Sequence, residues 1–330
     1  MHTFGVTWSS DSKQIASYSN WGNLITVWNE NGSILKEIPR EGDHYTGNAL
    51  AFVRGNTQLA ARPVSYRNGG DAVNVYDITT GNVVDRLPGP GRPDQWQPVN
   101  AARVLASSPN ESLLAVIFGR AEYHPVALYS TSDWHKVADI GAPLETKAYI
   151  AGALAFSQDG RLLAIASPKD VQVFDIEAKT TIQTIKALNS ADDGCCIEHV
   201  AFNKDSSQIA ITNSSGGTVC CCTPGCLDSK RCCTIKPNTG PIRVFRVADG
   251  AGIVTYPFPV SDIFDMRWSP DGRFIAFITP GTLYLWSPSH PQEQSKISLN
   301  PDSISLAFAP DGRHLAVNDS QYVTIFKVID

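Results

Sequence analysis

One pattern recurs seven times along this chain. An apolar run ending in a bulky residue meets a polar turn, and a second apolar run containing Ala follows. It reads VTWSSDSKQIAS at 6–17, LAFVRGNTQLAA at 50–61 and VLASSPNESLLAV at 104–116. It returns as LAFSQDGRLLAI at 154–165, VAFNKDSSQIAI at 200–211, MRWSPDGRFIAF at 266–277 and LAFAPDGRHLAV at 306–317. The anchoring alanines are Ala16, Ala60, Ala115, Ala164, Ala210, Ala276 and Ala316, spaced by 44, 55, 49, 46, 66 and 40 residues. A chain of 330 residues is too long for one ordinary core. Strand-like segments at a period near 40–45 residues point instead to radial blades, each repeat being one antiparallel sheet.

The rest of each repeat fits a four-stranded blade. A third strand follows each hairpin and ends in an aromatic: Trp28, Tyr76, Tyr129, Phe174, Phe245, Trp286 and Phe326. A fourth returns after a short turn, as in ENGSILKEI, TTGNVVDRL, EAKTTIQTI and ADGAGIVTY. In SPDG, Ser269 suits a local hydrogen bond, Pro270 pre-sets φ, and Gly272 tolerates φ > 0 where the hairpin closes. The expected fold is all-β: one seven-bladed β-propeller domain over 1–330, with four-stranded antiparallel blades.

Charge and hydropathy exclude some classes of partner. The net charge is −5 with no long basic run, which argues against a sequence-independent grip on nucleic acid. No apolar stretch approaches the roughly 20 residues that cross a bilayer, so no membrane partner is expected. The first residues, MHTFGVTWSSDSKQ, lack the basic and apolar regions of a signal peptide. A cytoplasmic location follows if Met1 is the natural start, and a periplasmic or secreted one if an upstream segment is missing.

These repeats resemble the WD-repeat family of seven-bladed propellers over residues 3–330. The family's aromatic–Asp pair is approached at Tyr76-Asp77 and Phe174-Asp175, whereas Trp28-Asn29, Trp286-Ser287 and Phe326-Lys327 depart from it. The Gly-His pair and most of the His–Ser/Thr–Asp–Trp hydrogen-bond network are missing, so the repeats are degenerate. The SPDGR pieces equally resemble repeats of bacterial periplasmic propellers. In such rings the termini usually pair within one blade. Here the last blade is expected to have three strands and an exposed edge, a site for weak self-association, the alternative being a fourth strand from an upstream segment that the numbered chain lacks.

All eight cysteines fall within residues 195–233: Cys195, Cys196, Cys220, Cys221, Cys222, Cys226, Cys232 and Cys233. The anchoring Ala and third-strand aromatic are ten apart in blades 4, 6 and 7 but 35 apart in blade 5, as Ala210 and Phe245 show. A Cys-rich insertion over 214–240 accounts for the difference. The resemblance implies that it leaves the same face as the loop holding Cys195 and Cys196. Three states of the cluster remain open: a disulfide staple worth about 3 kcal/mol for a loop of about 15 residues, a zinc site, or free thiols. Zinc suits thiolates, but no Cys-x2-Cys knuckle occurs, and His199 is the nearest imidazole in sequence.

No nucleophile elbow, phosphate loop, dinucleotide fingerprint or His-Glu-x-x-His helix occurs, so no catalytic residues are assigned. Some propellers are enzymes that use the central channel, where first-strand His199 and Asp265 would lie. The predicted loops of blades 1–3 carry Trp21, His44, Tyr45, Tyr66, Arg67, Trp96, Arg120, Tyr123 and His124. Aromatics and Arg are enriched at interfaces. The resemblance, together with the absence of catalytic motifs, implies a scaffold, not an enzyme, that binds a protein or peptide through its loop-rich face without a required cofactor. The alternative is a propeller enzyme or a ligand or metal sensor that uses the channel or the cysteines.

Overall fold

A computed structural model describes residues 5–19, 24–39, 49–62, 71–88, 102–118, 126–140, 152–167, 169–188, 197–213, 242–260, 262–319 and 322–328. Regular structure among them is entirely β. Blade 1 holds β1 (Val6–Trp8), β2 (Gln14–Ser19), β3 (Leu24–Asn29) and β4 (Ile34–Pro39). Blade 2 holds β5 (Leu50–Val53), β6 (Gln58–Ala61), β7 (Asp71–Asp77) and β8 (Val83–Pro88). Blade 3 holds β9 (Ala102–Ser107), β10 (Leu113–Phe118), β11 (Val126–Ser130) and β12 (Lys136–Ile140). Blade 4 holds β13 (Leu154–Phe156), β14 (Leu162–Ala166), β15 (Asp170–Asp175) and β16 (Thr180–Lys186). Blade 5 holds β17 (Ile197–Phe202), β18 (Gln208–Asn213), β19 (Ile242–Arg246) and β20 (Gly252–Thr255). Blade 6 holds β21 (Asp265–Trp268), β22 (Ile275–Thr279), β23 (Thr282–Trp286) and β24 (Gln294–Ser298). Blade 7 holds β25 (Ser305–Phe308), β26 (His314–Asn318) and β27 (Val323–Lys327).

Every sheet is an antiparallel meander in chain order, six of four strands and the last of three. This is the seven-bladed all-β propeller expected from the repeat, including its short last blade. The chain divides into two compact units. Unit 1 spans Met1–Arg120, His124–Ala142 and Asp302–Asp330, and so holds blades 1, 2, 3 and 7. Unit 2 spans Ala121–Tyr123 and Pro143–Pro301, and holds blades 4, 5 and 6.

The repeated alanine has a steric cause. All seven anchors have 0 % exposure, each in the second strand of its sheet. Ala210, for example, sits between Ala201 and Val244, and Ala316 between Ala307 and Ile325. A larger side chain there would force neighbouring strands or sheets apart, at about 1–3 kcal/mol.

The polar turns follow one hydrogen-bond plan. Ser269 Oγ donates to Asp271 Oδ1 at 2.6 Å and accepts from Phe274 N at 2.9 Å, while Arg273 N donates to Asp271 Oδ1 at 2.9 Å. Ser9, Asp11 and Gln14 repeat the plan in blade 1, and Ser157, Asp159 and Leu162 in blade 4. The fourth turn position has φ > 0 throughout: Gly160, Gly272 and Gly312, but also Ser12, Asn56, Glu111 and Ser206.

Neighbouring sheets within a unit meet through a second rule. The fourth strand of one blade presents a large residue to the third-strand aromatic of the next. Ile38 shares a cluster with Tyr76, Leu87 with Tyr129, and Ile185 with Phe245. Tyr256, just past β20, meets Trp286 edge-on at 5.3 Å between centroids. Burying such a side chain contributes about 1.5–3 kcal/mol.

Blades 7 and 1 join differently. Trp8 Nε1 donates to Ala307 O at 3.0 Å, and Asp311 N to Ser12 Oγ at 3.0 Å. Val6, Trp8 and Ile15 bury against Ala307, Ala309 and Ala316. Trp28 Nε1 donates to Ser17 Oγ at 3.0 Å. In blade 6 the equivalent Trp286 Nε1 donates to Pro291 O instead.

Candidate functional site

The described residues gather ionisable groups in one place in unit 2, where the first strands of blades 5 and 6 begin. In β17, Val200, Ala201 and Phe202 pair regularly with Ile211, Ala210 and Ile209. His199 then pairs with Thr212 and Ile197 with Asn213, leaving Glu198 as an extra residue, a β-bulge. The bulge reverses the alternation of side chains. Ile197 joins Val200 and Phe202 in the cluster shared with blade 4, while Ala201 joins the cluster shared with blade 6. His199, two residues from Ala201 and in register with it, points toward blade 6.

There it meets Asp265. His199 Nδ1 lies 3.8 Å from Asp265 Oδ1, with the side chains 15 % and 5 % exposed. Asp265 Oδ1 also takes Arg267 Nη1 at 2.8 Å and Met266 N at 2.8 Å. Arg267 Nη1 donates to Met266 O at 2.9 Å as well. Burial pushes the His199 imidazole below its ordinary value, and the Arg267 charge adds to this against the pull of Asp265 and the Ile263 backbone. His199 is therefore neutral at pH 7. Glu198 moves the other way. Burial, and then the negative charge of Asp262, raise its carboxyl to about 7. Thr212, opposite His199 on the same face of the sheet, is 1 % exposed and its Oγ1 has no hydrogen-bond partner among the described residues.

Chemically this is a desolvated carboxyl, Glu198, facing the charge of an exposed Asp262, near an ion pair between Asp265 and Arg267. Among the described residues no three His, Cys, Asp or Glu side chains are arranged to hold a metal ion. Sequence reasoning named His199 and Asp265 as first-strand residues, and the structure brings them together. It missed Glu198 and Asp262. The adjacent polar pair Glu198-His199 inside an otherwise apolar strand was the available signal, since two neighbours cannot both face one side of a regular strand.

The other expected site residues lie outside the described residues. These are Trp21, His44, Tyr45, Tyr66, Arg67, Trp96, Arg120, Tyr123, His124 and all eight cysteines. The segment 214–241 that holds six of those cysteines departs after Asn213 and rejoins at Ile242. Asn213 pairs with Ile197 and Ile242 with Thr212, so both anchor points border the cluster.

No protein-family model matches the chain, and no curated protein does. Solved structures do match. The β-propeller domain of Cps50 (Swd1) from Myceliophteria thermophila aligns with a TM-score of 0.68 at 13 % identity, covering 99 % of this chain and 96 % of that one. Hydrazine synthase from Kuenenia stuttgartiensis aligns with a TM-score of 0.69 at 13 % identity, covering 99 % and 97 %. The shared property is the propeller fold. One of the two is an enzyme by name, so the fold alone does not decide between binding and catalysis.

Proposed function

We propose that this chain is a non-catalytic scaffold that binds a protein or peptide partner at the end of blade 5 where β17 begins. The supporting observation is Glu198, a desolvated carboxyl that feels the negative charge of Asp262, one residue before a His199 that faces the Asp265–Arg267 ion pair. A basic side chain of a partner would offset the burial, and the repulsion from Asp262, that raise the Glu198 carboxyl. Binding would then favour the ionised carboxylate and release a proton, so affinity rises with pH through about 7.

The test is a library of short immobilised peptides of varied charge. The wild-type chain should retain those with a Lys or Arg anchor, more tightly at pH 8 than at pH 6. Glu198→Gln should weaken that retention about 10-fold, or about 1.4 kcal/mol. Equal retention by the variant, or a preference for acidic peptides, would refute the reading.

A second reading, a propeller enzyme or ligand sensor, has one observation in its favour. A neutral imidazole at His199 follows a carboxyl that titrates near neutrality, and such groups suit acid–base work. It predicts a small molecule that protects Glu198 from a carbodiimide without any peptide present.

A further inference from the structure

Within unit 1, the junction between blades 7 and 1 lacks, among the described residues, a part that the junctions of blades 1 and 2, 2 and 3, 4 and 5, and 5 and 6 have. Where Ile38, Leu87, Ile185 and Tyr256 cover the next aromatic, Tyr76, Tyr129, Phe245 and Trp286 are all buried. The aromatic of blade 1, Trp28, is only half-buried. Three residues before each third-strand aromatic stands an apolar residue. Ile25, Val73, Val171 and Ile242 are there fully buried, and the first three lie opposite Ile38, Leu87 and Ile185. Ile242 O accepts from Tyr256 N at 2.8 Å. The blade 7 counterpart, Val323, is half-buried, and so is Ile325, which packs with Trp28 on the cluster of blades 7 and 1.

The backbone of β27 is open in the same place. Val328 N donates to Arg313 O, so even-numbered residues turn toward β26. The amides of Val323, Ile325 and Lys327 then point outward along the edge.

We propose that β27 is a docking edge for an extended segment of another polypeptide, which adds as an antiparallel fourth strand and seats one large aliphatic side chain opposite Val323, over Trp28. The chain's own blades state the chemistry of that segment. Each turn into a fourth strand carries an acid: Glu30, Asp77, Asp133, Glu177, Asp249 and Glu293. Ile38 lies eight residues after Glu30, and Ile185 eight after Glu177. Blade 7 presents an exposed lysine, Lys327, at the end where that acid would arrive. The fitting partner is thus a strand that opens with a carboxylate and ends on Ile or Leu, held by backbone pairing with one apolar pocket. The proposal does not rest on the function proposed above.

The probe is the peptide ENGSILKEIPR, residues 30–40 of this chain, which carries the blade 1 fourth strand. Added to the full chain, it should bind one to one and slow hydrogen exchange at Val323, Ile325 and Lys327. Ile38→Asp in the peptide, and Val323→Asp in the protein, should each weaken binding at least 10-fold. Should the protein variant fail to fold, the peptide variant still decides. Three results would overturn the proposal: no binding at millimolar peptide, binding without protection of β27, or protection of β27 before any peptide is added. The last, with a dimer mass in light scattering, would assign the edge to a second copy of this chain.

Discussion

Two glutamates, Glu111 buried and Glu198 half-buried, show how differently the two ends of a blade are built. Glu111 sits in the hairpin turn between the first and second strands of blade 3. Its carboxylate accepts Ser10 N at 3.0 Å and Asn56 N at 2.5 Å, and its carbonyl accepts the Thr131 hydroxyl at 2.7 Å. It thereby ties the turns of blades 1, 2 and 3 together inside unit 1. Glu198 sits at the other end of its blade, where the first strand begins, and faces the negative charge of Asp262. One carboxyl group is met by two backbone donors. The other has lost water and gained a like charge. The hairpin end is therefore built for stability, and the strand-start end holds groups that a partner can satisfy.

The largest expected effect breaks or confirms that contrast directly. Glu111→Gln should lower stability by about 1–3 kcal/mol in urea unfolding at pH 8, because it replaces a charged acceptor of two backbone N–H groups. Glu198→Gln under the same conditions should be neutral or stabilising. Equal losses would erase the distinction.

pH supplies the next test, since the two ends should slope in opposite directions. A carboxyl raised in the folded state gives stability that is present below its unfolded value and lost as pH rises through about 7. Between pH 5 and 8 the wild type should lose on the order of 2 kcal/mol relative to Glu198→Gln. The hairpin aspartates behave in reverse. The Ser157 hydroxyl holds Asp159 below its ordinary value, and the Ser207 hydroxyl does the same for Asp205. Their contribution is present above the unfolded value and lost as pH falls through the lowered one. Asp159→Asn should flatten the acid limb of a melting-temperature profile and leave the neutral limb unchanged.

Smaller effects sharpen the picture. Thr212→Val removes a buried hydroxyl without a partner among the described residues and should stabilise the chain by about 1 kcal/mol. If a partner hydrogen-bonds that hydroxyl, the gain would disappear once the partner is bound. Ser206→Gly, at φ 61° in the blade 5 turn, should change stability by only a few tenths of a kcal/mol. Relief of backbone strain there is nearly offset by the added freedom of the unfolded chain. A large effect would mean that the serine side chain matters at the hairpin end.

The legibility of the sequence divides along the same line. The hairpin end was readable because its chemistry is local. Ser, Asp and Gly at fixed offsets form one turn, and an Ala at the sheet centre repeats with it, so blade number, strand order and the short last blade all followed. Glu111 was unreadable because its donors, Ser10 and Asn56, come from two other repeats. The strand-start end was half readable. His199 and Asp265 were placed on first strands, but the bulge that aims His199 at blade 6 depends on pairing with Thr212, which no local pattern encodes. Asp262 acts on Glu198 across 64 positions of sequence, a distance over which charge patterning carries no signal.

The bonds joining blade 7 to blade 1 also order events in time. Trp8 and Ser12 find Ala307 and Asp311, each 299 positions further along the chain, only after the stretch between has been made. At roughly 5–20 residues per second, a ribosome needs on the order of 10–30 s to make the stretch that forms most of unit 2. Blades 1 to 3 must wait that long for their last neighbour, whereas blades 4 to 6 emerge consecutively and can close on one another as they appear. The first-made half of this protein is thus the last to finish, and it spends the interval with the apolar side of blade 1 uncovered.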